Sequence, residues 1–461
     1  MTTQPRPFHK VLVANRGEIA LRIVRACREA GLASVQVYSE ADQDTLAVRL
    51  ADEAVCIGGP KPADSYLNTG ALLDAARGTD ADAVHPGYGF LSENADFAEQ
   101  VEQAGLVYIG PQPAAIRTMG DKIAARQCAE AAGVPVIPGS AAAVGSVDEA
   151  LTMAHQVGYP VLIKASAGGG GRGMRVARDD RELAESMERA VAEAEASFGC
   201  GEVYIEKFLE RVRHIEVQIV GDGRQVIHLG ERDCSLQRRH QKLVEEAPAA
   251  ILSPAMQERI RAAATRLAET IGYRSAGTVE FVVDVAADAF YFIEMNTRIQ
   301  VEHPVTELLT GIDLVKLQLS IAAGRPLGLR QQDVNLRGHA IELRINAEDP
   351  DKGFLPRSGR IDEFAMPAGP GIRVDTHVYP GYALPAHYDS LLGKLLVWGQ
   401  DRDEALARMR RALHEARIEG VATTLSFHRR LLDEPAFRDN DVHTRFIKEQ
   451  MYCKHPMQRL L

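Results

Sequence analysis

Apolar and polar residues follow two rhythms along the first 120 positions. Short β-branched runs at Lys10–Ala14, Ser34–Tyr38, Ala83–His85 and Leu106–Ile109 read as strands, and the stretches between them repeat apolar residues at helical spacing. Ile19–Ala30 is one such helix, with Gly31 placed to end it. Strands alternating with helices imply a parallel sheet covered on both faces. Near Met119 the pattern changes. It predicts a helix over Asp121–Ala132 closed by Gly133, and another after the capping-box sequence Ser146-Val147-Asp148-Glu149. Pro160–Ala165 and Met174–Ala177 read as strands on either side of a glycine loop. From Val203 the strands lengthen and look antiparallel: His214–Ile219 alternates polar and apolar, and Gly277–Val285 with Phe290–Asn296 predicts a hairpin across Ala286–Ala289. Ile312–Ala323 and Arg402–Ala416 are helical.

A chain of 461 residues is too long for one compact core and implies two to four domains. The net charge, 53 − 63 = −10, argues against a nucleic-acid partner. None of the six cysteines forms a Cys-x-x-Cys pair, so a reduced, cytoplasmic setting is expected. Met1–Lys10 lacks the apolar core of a secretory signal, and no apolar run is long enough to span a bilayer, so no membrane partner is expected.

Several constellations carry chemistry. In Lys164–Gly173, glycines permit close backbone approach to phosphate oxygens behind a strand-terminal lysine. The loop lacks the Gly-Lys-Ser/Thr ending of a Walker loop, and a flexible surface loop would have the same composition. In Tyr291–Asn296, period two puts Glu294 and Asn296 on one face, and Glu280 lies in the expected partner strand. Carboxylates buried together repel one another, and a divalent cation bound through oxygen removes that cost. Arginine pairing at the surface is the alternative. Arg298, Gln300 and Glu302 continue two apart, so that Arg298 can fork an anion and Glu302 can act as a base; an exposed, salt-bridged edge strand has the same spacing. Gln237, His240 and Lys242 add donors, with Glu245-Glu246 available as surface ion-pair partners. Asn15–Glu18 and His85–Phe90 follow strands of the parallel sheet, where open sheets bind ligands, and neither carries the dinucleotide fingerprint.

Ala14–Ala20, His85–Asn94, Glu294–Pro304 and Arg344–Pro350 together resemble the signatures of biotin carboxylase, over almost the whole chain. The resemblance implies a mixed α/β and α+β ATP-grasp fold. A Rossmann-like parallel domain would span 1–120, and an ATP-grasp domain 121–335 with a lid at about 137–208. A C-terminal biotin carboxylase domain at 336–450 and a tail at 451–461 would follow. It implies carboxylation of carrier-bound biotin by ATP and bicarbonate through carboxyphosphate, most simply for acetyl-CoA carboxylase and fatty acid biosynthesis. By motif position, Lys122, Lys164, Gly170, Gly171, Glu206, Lys207, Phe208, Leu209, His214, Gln237 and His240 would bind ATP. Glu280, Glu294 and Asn296 would hold magnesium or manganese beside it. Bicarbonate would lie on Lys242, Arg298, Gln300, Val301 and Glu302, with Glu302 the base, and biotin against Tyr88 and Arg344. Ala167 departs from the family's lid glycines. No biotin-bearing Met-Lys-Met is present, so the carrier protein and the carboxyltransferase are expected on separate chains, and a homodimer is implied. Another ATP-grasp ligase, of carbamoyl-phosphate or peptide type, and an inactive nucleotide-binding regulator are the competing readings.

Overall fold

The computed structural model describes residues 7–140, 143–165, 175–198 and 202–451. Gly170, Gly171, the Ala167 departure and most of the expected tail lie outside them. In the N-terminal region, strands β1 (Lys10–Val13), β2 (Ala33–Tyr38), β3 (Glu53–Cys56), β4 (Ala83–His85) and β5 (Val107–Tyr108) form one parallel sheet in the order β3-β2-β1-β4-β5. Val11, Leu12, Val13, Val35 and Val37 are fully buried, which is why these runs are β-branched on both faces. The helix Gly17–Glu29 stops where expected, at Gly31 with φ +71°. The strand order reverses between β1 and β4, so the loops after these two strands flank a switch point where a crevice opens.

The small subdomain is an antiparallel sheet of β6 (Val161–Ala165), β7 (Arg175–Ala177) and β8 (Val203–Lys207), ordered β7-β6-β8, with helices Val147–Val157 and Asp180–Phe198 packed on it. Ser146 caps the first of these through Oγ, which accepts from the Glu149 N–H at 3.2 Å. The Glu149 carboxylate accepts from Gly145 instead of the cap residue, one position earlier than a standard box.

The main sheet has eight antiparallel strands. Its first six, in spatial order, are β13 (Ala289–Asn296), β12 (Arg274–Asp284), β9 (Arg213–Asp222), β10 (Val226–Arg238), β11 (Gln241–Ala247) and β14 (His339–Asn346); Leu391–Gly399 and Ile372–Thr376 complete it. The expected hairpin is present as β12–β13, with Glu280 opposite Glu294. The alternation at His214–Ile219 has a different meaning from a strand with one solvated face. Ile215, Val217 and Ile219 pack with the helix Pro254–Thr270, and Glu216 and Gln218 on the other face are also fully buried. Among the described residues no helix is long and apolar enough to cross a membrane.

Candidate active site

Cross-strand register assembles the site. Glu294, Glu280, Glu216 and Arg232 stand in one row across β13, β12, β9 and β10. Lys242 enters from β11 and places its ammonium 2.5 Å from Glu216, 2.8 Å from Glu280 and 2.7 Å from Glu302, which uses all three of its donors. Behind it, fully buried Arg232 donates to Glu216 at 2.5 Å and to Gln218, Thr278 and Thr306. Arg344, on β14, binds Glu245 at 2.6 Å and Glu302 at 3.0 Å.

The segment after Asn296 leaves the strand, which overturns the edge-strand alternative. Arg298 donates to Glu93, Gln300 and Asn296 at 2.8 Å each, and Gln300 donates to Glu280 at 2.9 Å. Glu302 is fully buried at the N-cap of the helix His303–Thr310. Burial alone would raise its pKa, but Lys242, Arg344 and Arg232 hold it well below the usual carboxylate range. Glu280 is likewise held low, against burial, by Lys242 and by His214 at 2.9 Å.

The donors partly fit a hard divalent cation. Glu294 is exposed to solvent, yet the protein around it and then the Glu280 charge push its pKa up, a repulsion that a cation between the two would relieve. Asn296, however, turns its amide nitrogen to Glu280 and its oxygen to Arg298. His214, Glu216 and Glu280 also bring ligand atoms within 4.8 Å of one another, but Lys242 already supplies positive charge to two of the three.

The remaining expected residues are more dispersed. Lys164 binds Glu206 across the small sheet at 2.7 Å, and Lys207 ties the end of β8 to the Gly158 and Tyr159 carbonyls. Phe208 and Leu209 follow β8 on the way to β9. Lys122 opens the helix Lys122–Ala131 and is exposed. Gln237 is buried on β10, whereas His240 lies in the exposed β10–β11 turn at φ +64°. Glu245 and Glu246 are not surface partners of the basic run: Glu246 binds Arg402 and His339, and Glu245 binds Arg344. Tyr88 donates to Glu18 at 2.5 Å beside a cavity of about 350 Å³ lined by Arg16, Phe90, His387, Tyr388 and Asp389. Gly87 makes this loop possible: it sits at φ +63°, and a Cβ there would meet the Asn15 amide nitrogen at 2.9 Å. That amide ties the Pro86 and Tyr88 carbonyls. Sequence reasoning missed Glu216, Arg232 and Glu93. Glu216 pairs in register with Glu280 of β12, and Arg232 with Glu216; the available signal for Glu216 was its polar place in the His214–Ile219 alternation.

Glu245 is expected to make stability depend on pH. Burial outweighs Arg344 and raises its pKa from 4.5 to about 7. The folded chain therefore holds this proton more tightly than the unfolded chain. The resulting stabilisation is complete below about pH 4.5 and is lost as pH rises through about 7. Between pH 5 and pH 8, Glu245→Gln is expected to lose on the order of 3 kcal/mol less stability than the parent. Denaturant midpoints at the two pH values measure this, and parallel pH profiles would refute it.

The comparisons agree along nearly the whole chain. Residues 7–116 match the family described as biotin carboxylase, N-terminal domain, residues 121–330 the carbamoyl-phosphate synthase L chain, ATP binding domain, and residues 342–449 the biotin carboxylase C-terminal domain. A biotin carboxylase of Nostoc sp. is 55% identical over 96% of this chain and 99% of its own length. A pyruvate carboxylase subunit of Methanothermobacter thermautotrophicus is 53% identical over 96% of this chain and 90% of its own. The biotin carboxylase domain dimer of Hydrogenobacter thermophilus 2-oxoglutarate carboxylase, solved with MgADP, ADP and bicarbonate, superposes with a TM-score of 0.90 at 49% identity, covering 96% of this chain and 98% of that one. The chain belongs to the biotin carboxylase family, ATP-dependent ligases that carboxylate biotin.

Proposed function

We propose that Glu302 is the base and Lys242, Arg298 and Arg344 the charge-stabilising groups of a reaction that joins bicarbonate to biotin through carboxyphosphate. The observation carrying this reading is the fully buried Glu302 carboxylate held between Lys242 and Arg344. Bicarbonate would take up donors from Lys242, Arg298 and Gln300 against the backbone of Val301. Glu302 would receive its proton as the oxygen attacks the γ-phosphorus and ADP leaves. The same cations would surround the carboxyphosphate and, after it splits, the phosphate and carbon dioxide, in a site with little water. The phosphate would take the biotin N1 proton, Arg344 would face the resulting enolate, and Tyr88 would lie along the ureido ring.

Glu280 and Glu294 would hold magnesium, whose chemistry when bound is to neutralise and orient the nucleotide phosphates. Asn296 would join them only by turning its amide. Lys164, Glu206–Leu209, His214 and Gln237 would contact the nucleotide, with Lys122 and His240 reaching in from the rim. Carrier-bound biotin would come from a separate carrier protein. The acyl acceptor, taken first as acetyl-CoA, would belong to a separate carboxyltransferase; pyruvate is the second reading, since one relative belongs to a pyruvate carboxylase. We further propose a homodimer, as in the Hydrogenobacter thermophilus domain, and a reducing cytoplasm, in keeping with the free thiols of Cys27, Cys56, Cys128 and Cys234.

ATP hydrolysis is expected to require bicarbonate and to rise further with free biotin. Release of phosphate, measured with each ligand omitted in turn, checks this. Hydrolysis indifferent to both would favour another ATP-grasp ligase.

A further inference from the structure

One fully buried cation has no part in the reaction described above. Lys394 lies on the strand Leu391–Gly399, between Arg344 of β14 and Asp375 of Ile372–Thr376 in the register. Its ammonium donates to the Val301 carbonyl at 2.8 Å and lies 2.9 Å from Glu18 Oε1. The same Glu18 oxygen accepts the Tyr88 hydroxyl at 2.5 Å. Glu18 belongs to the first turn of the helix Gly17–Glu29 and is itself buried, and its second oxygen has no hydrogen-bond partner among the described residues. A lysine held entirely away from water is costly unless paired. Burial pulls its pKa down, and Glu18, Glu342 and Asp375 more than restore it, so it stays charged.

Three distant parts of the chain thus meet on one ammonium: the segment after β13, the first helix and the C-terminal sheet. In the proposed function Val301 lines the bicarbonate position and Tyr88 the biotin position, and the inference rests on those two assignments. We infer that Lys394 is a positioning residue that locks the two walls to one another, through the Val301 carbonyl on one side and the Glu18–Tyr88 bond on the other. A carbon dioxide molecule released at one wall then meets the biotin nitrogen at the other without the two substrates having to find their spacing independently.

The test is a double-mutant cycle read in Michaelis constants with free biotin. Lys394→Met is expected to raise KM for both bicarbonate and biotin by about tenfold, with KM for ATP within about twofold. Tyr88→Phe is expected to raise KM for biotin alone. In the double variant the two effects on biotin should fail to multiply, because the tyrosine acts through the same ammonium. Independent, multiplicative effects would overturn the inference. So would a Lys394→Met enzyme with unchanged KM for bicarbonate. Tyr88→Phe without effect on biotin would instead refute the assignment of Tyr88 and leave the bicarbonate arm to decide Lys394. If Lys394→Met does not fold, Lys394→Met with Glu18→Gln removes both buried charges and replaces it. Elevated KM for both substrates in that stable variant supports positioning, and parental values would reduce Lys394 to charge balance.

Discussion

Glu302→Gln is expected to lower the turnover number for biotin carboxylation by about 10³-fold while changing ATP affinity by less than about threefold. Glutamine keeps the shape of the side chain and an oxygen for Lys242 or Arg344, but cannot take a proton. In the substrate-free site Glu302 is ionised well below neutrality, because two contacting cations and Arg232 behind them outweigh its burial. An acidic loss of activity is therefore not expected from Glu302 in the free enzyme. A carboxylate so strongly held is a weak base, and in the proposed reaction it would gain basicity as bicarbonate takes Lys242 from it. Nucleotide titration and single-turnover carboxylation together check the expectation. A tenfold or greater loss of ATP affinity would make Glu302 part of the nucleotide cradle and remove its assignment as base.

The largest effect on stability is expected at Arg232. Arg232→Met should cost about 3–5 kcal/mol, the usual consequence of stripping one partner from a buried ion pair. The guanidinium is fully buried and satisfies one carboxylate, one amide and two hydroxyls from β9, β12 and the helix His303–Thr310. Methionine fills the space and leaves Glu216 to Lys242, with only His214 at 4.0 Å beside it, which weakens the hold of Lys242 on Glu280 and Glu302. Adding Glu216→Gln should restore part of the loss, since no unpaired charge then remains. Denaturant unfolding measures both variants. A loss below about 1 kcal/mol would mean that water or a shifted Lys242 replaces the guanidinium.

These two residues also mark what the sequence did and did not reveal. The parallel sheet was legible because its strands are apolar on both faces and end in glycine-rich turns, and β12–β13 was legible because the alternation placed Glu280 against Glu294. Spacing gave Arg298, Gln300 and Glu302 as one run and Lys242 in a separate cluster, and only the family resemblance joined them; the structure brings Lys242 and Glu302 into contact, with Arg298 reaching them through Gln300 and Glu280. Glu216 and Arg232 were missed because alternation gives only the side of a strand a residue occupies. It does not say that another layer covers that side, and here the helix His303–Thr310 does. Glu245 and Glu246 looked like partners of the adjacent basic run because sequence neighbours are visible and sheet neighbours are not. Their partners, Arg344 and Arg402, come from about 100 and 156 residues away, distances that no local pattern encodes.

The pairing of β11 with β14 has a temporal meaning as well. The expected division at residue 336 falls between two strands that share one continuous sheet. As the chain is synthesised from its N-terminus, β11 remains an open edge through some 90 residues, exposing hydrogen-bonding groups that invite the wrong neighbour. Glu245 waits for Arg344, and the Val301 carbonyl waits for Lys394. The buried cluster therefore cannot be complete until the chain has been made as far as Lys394.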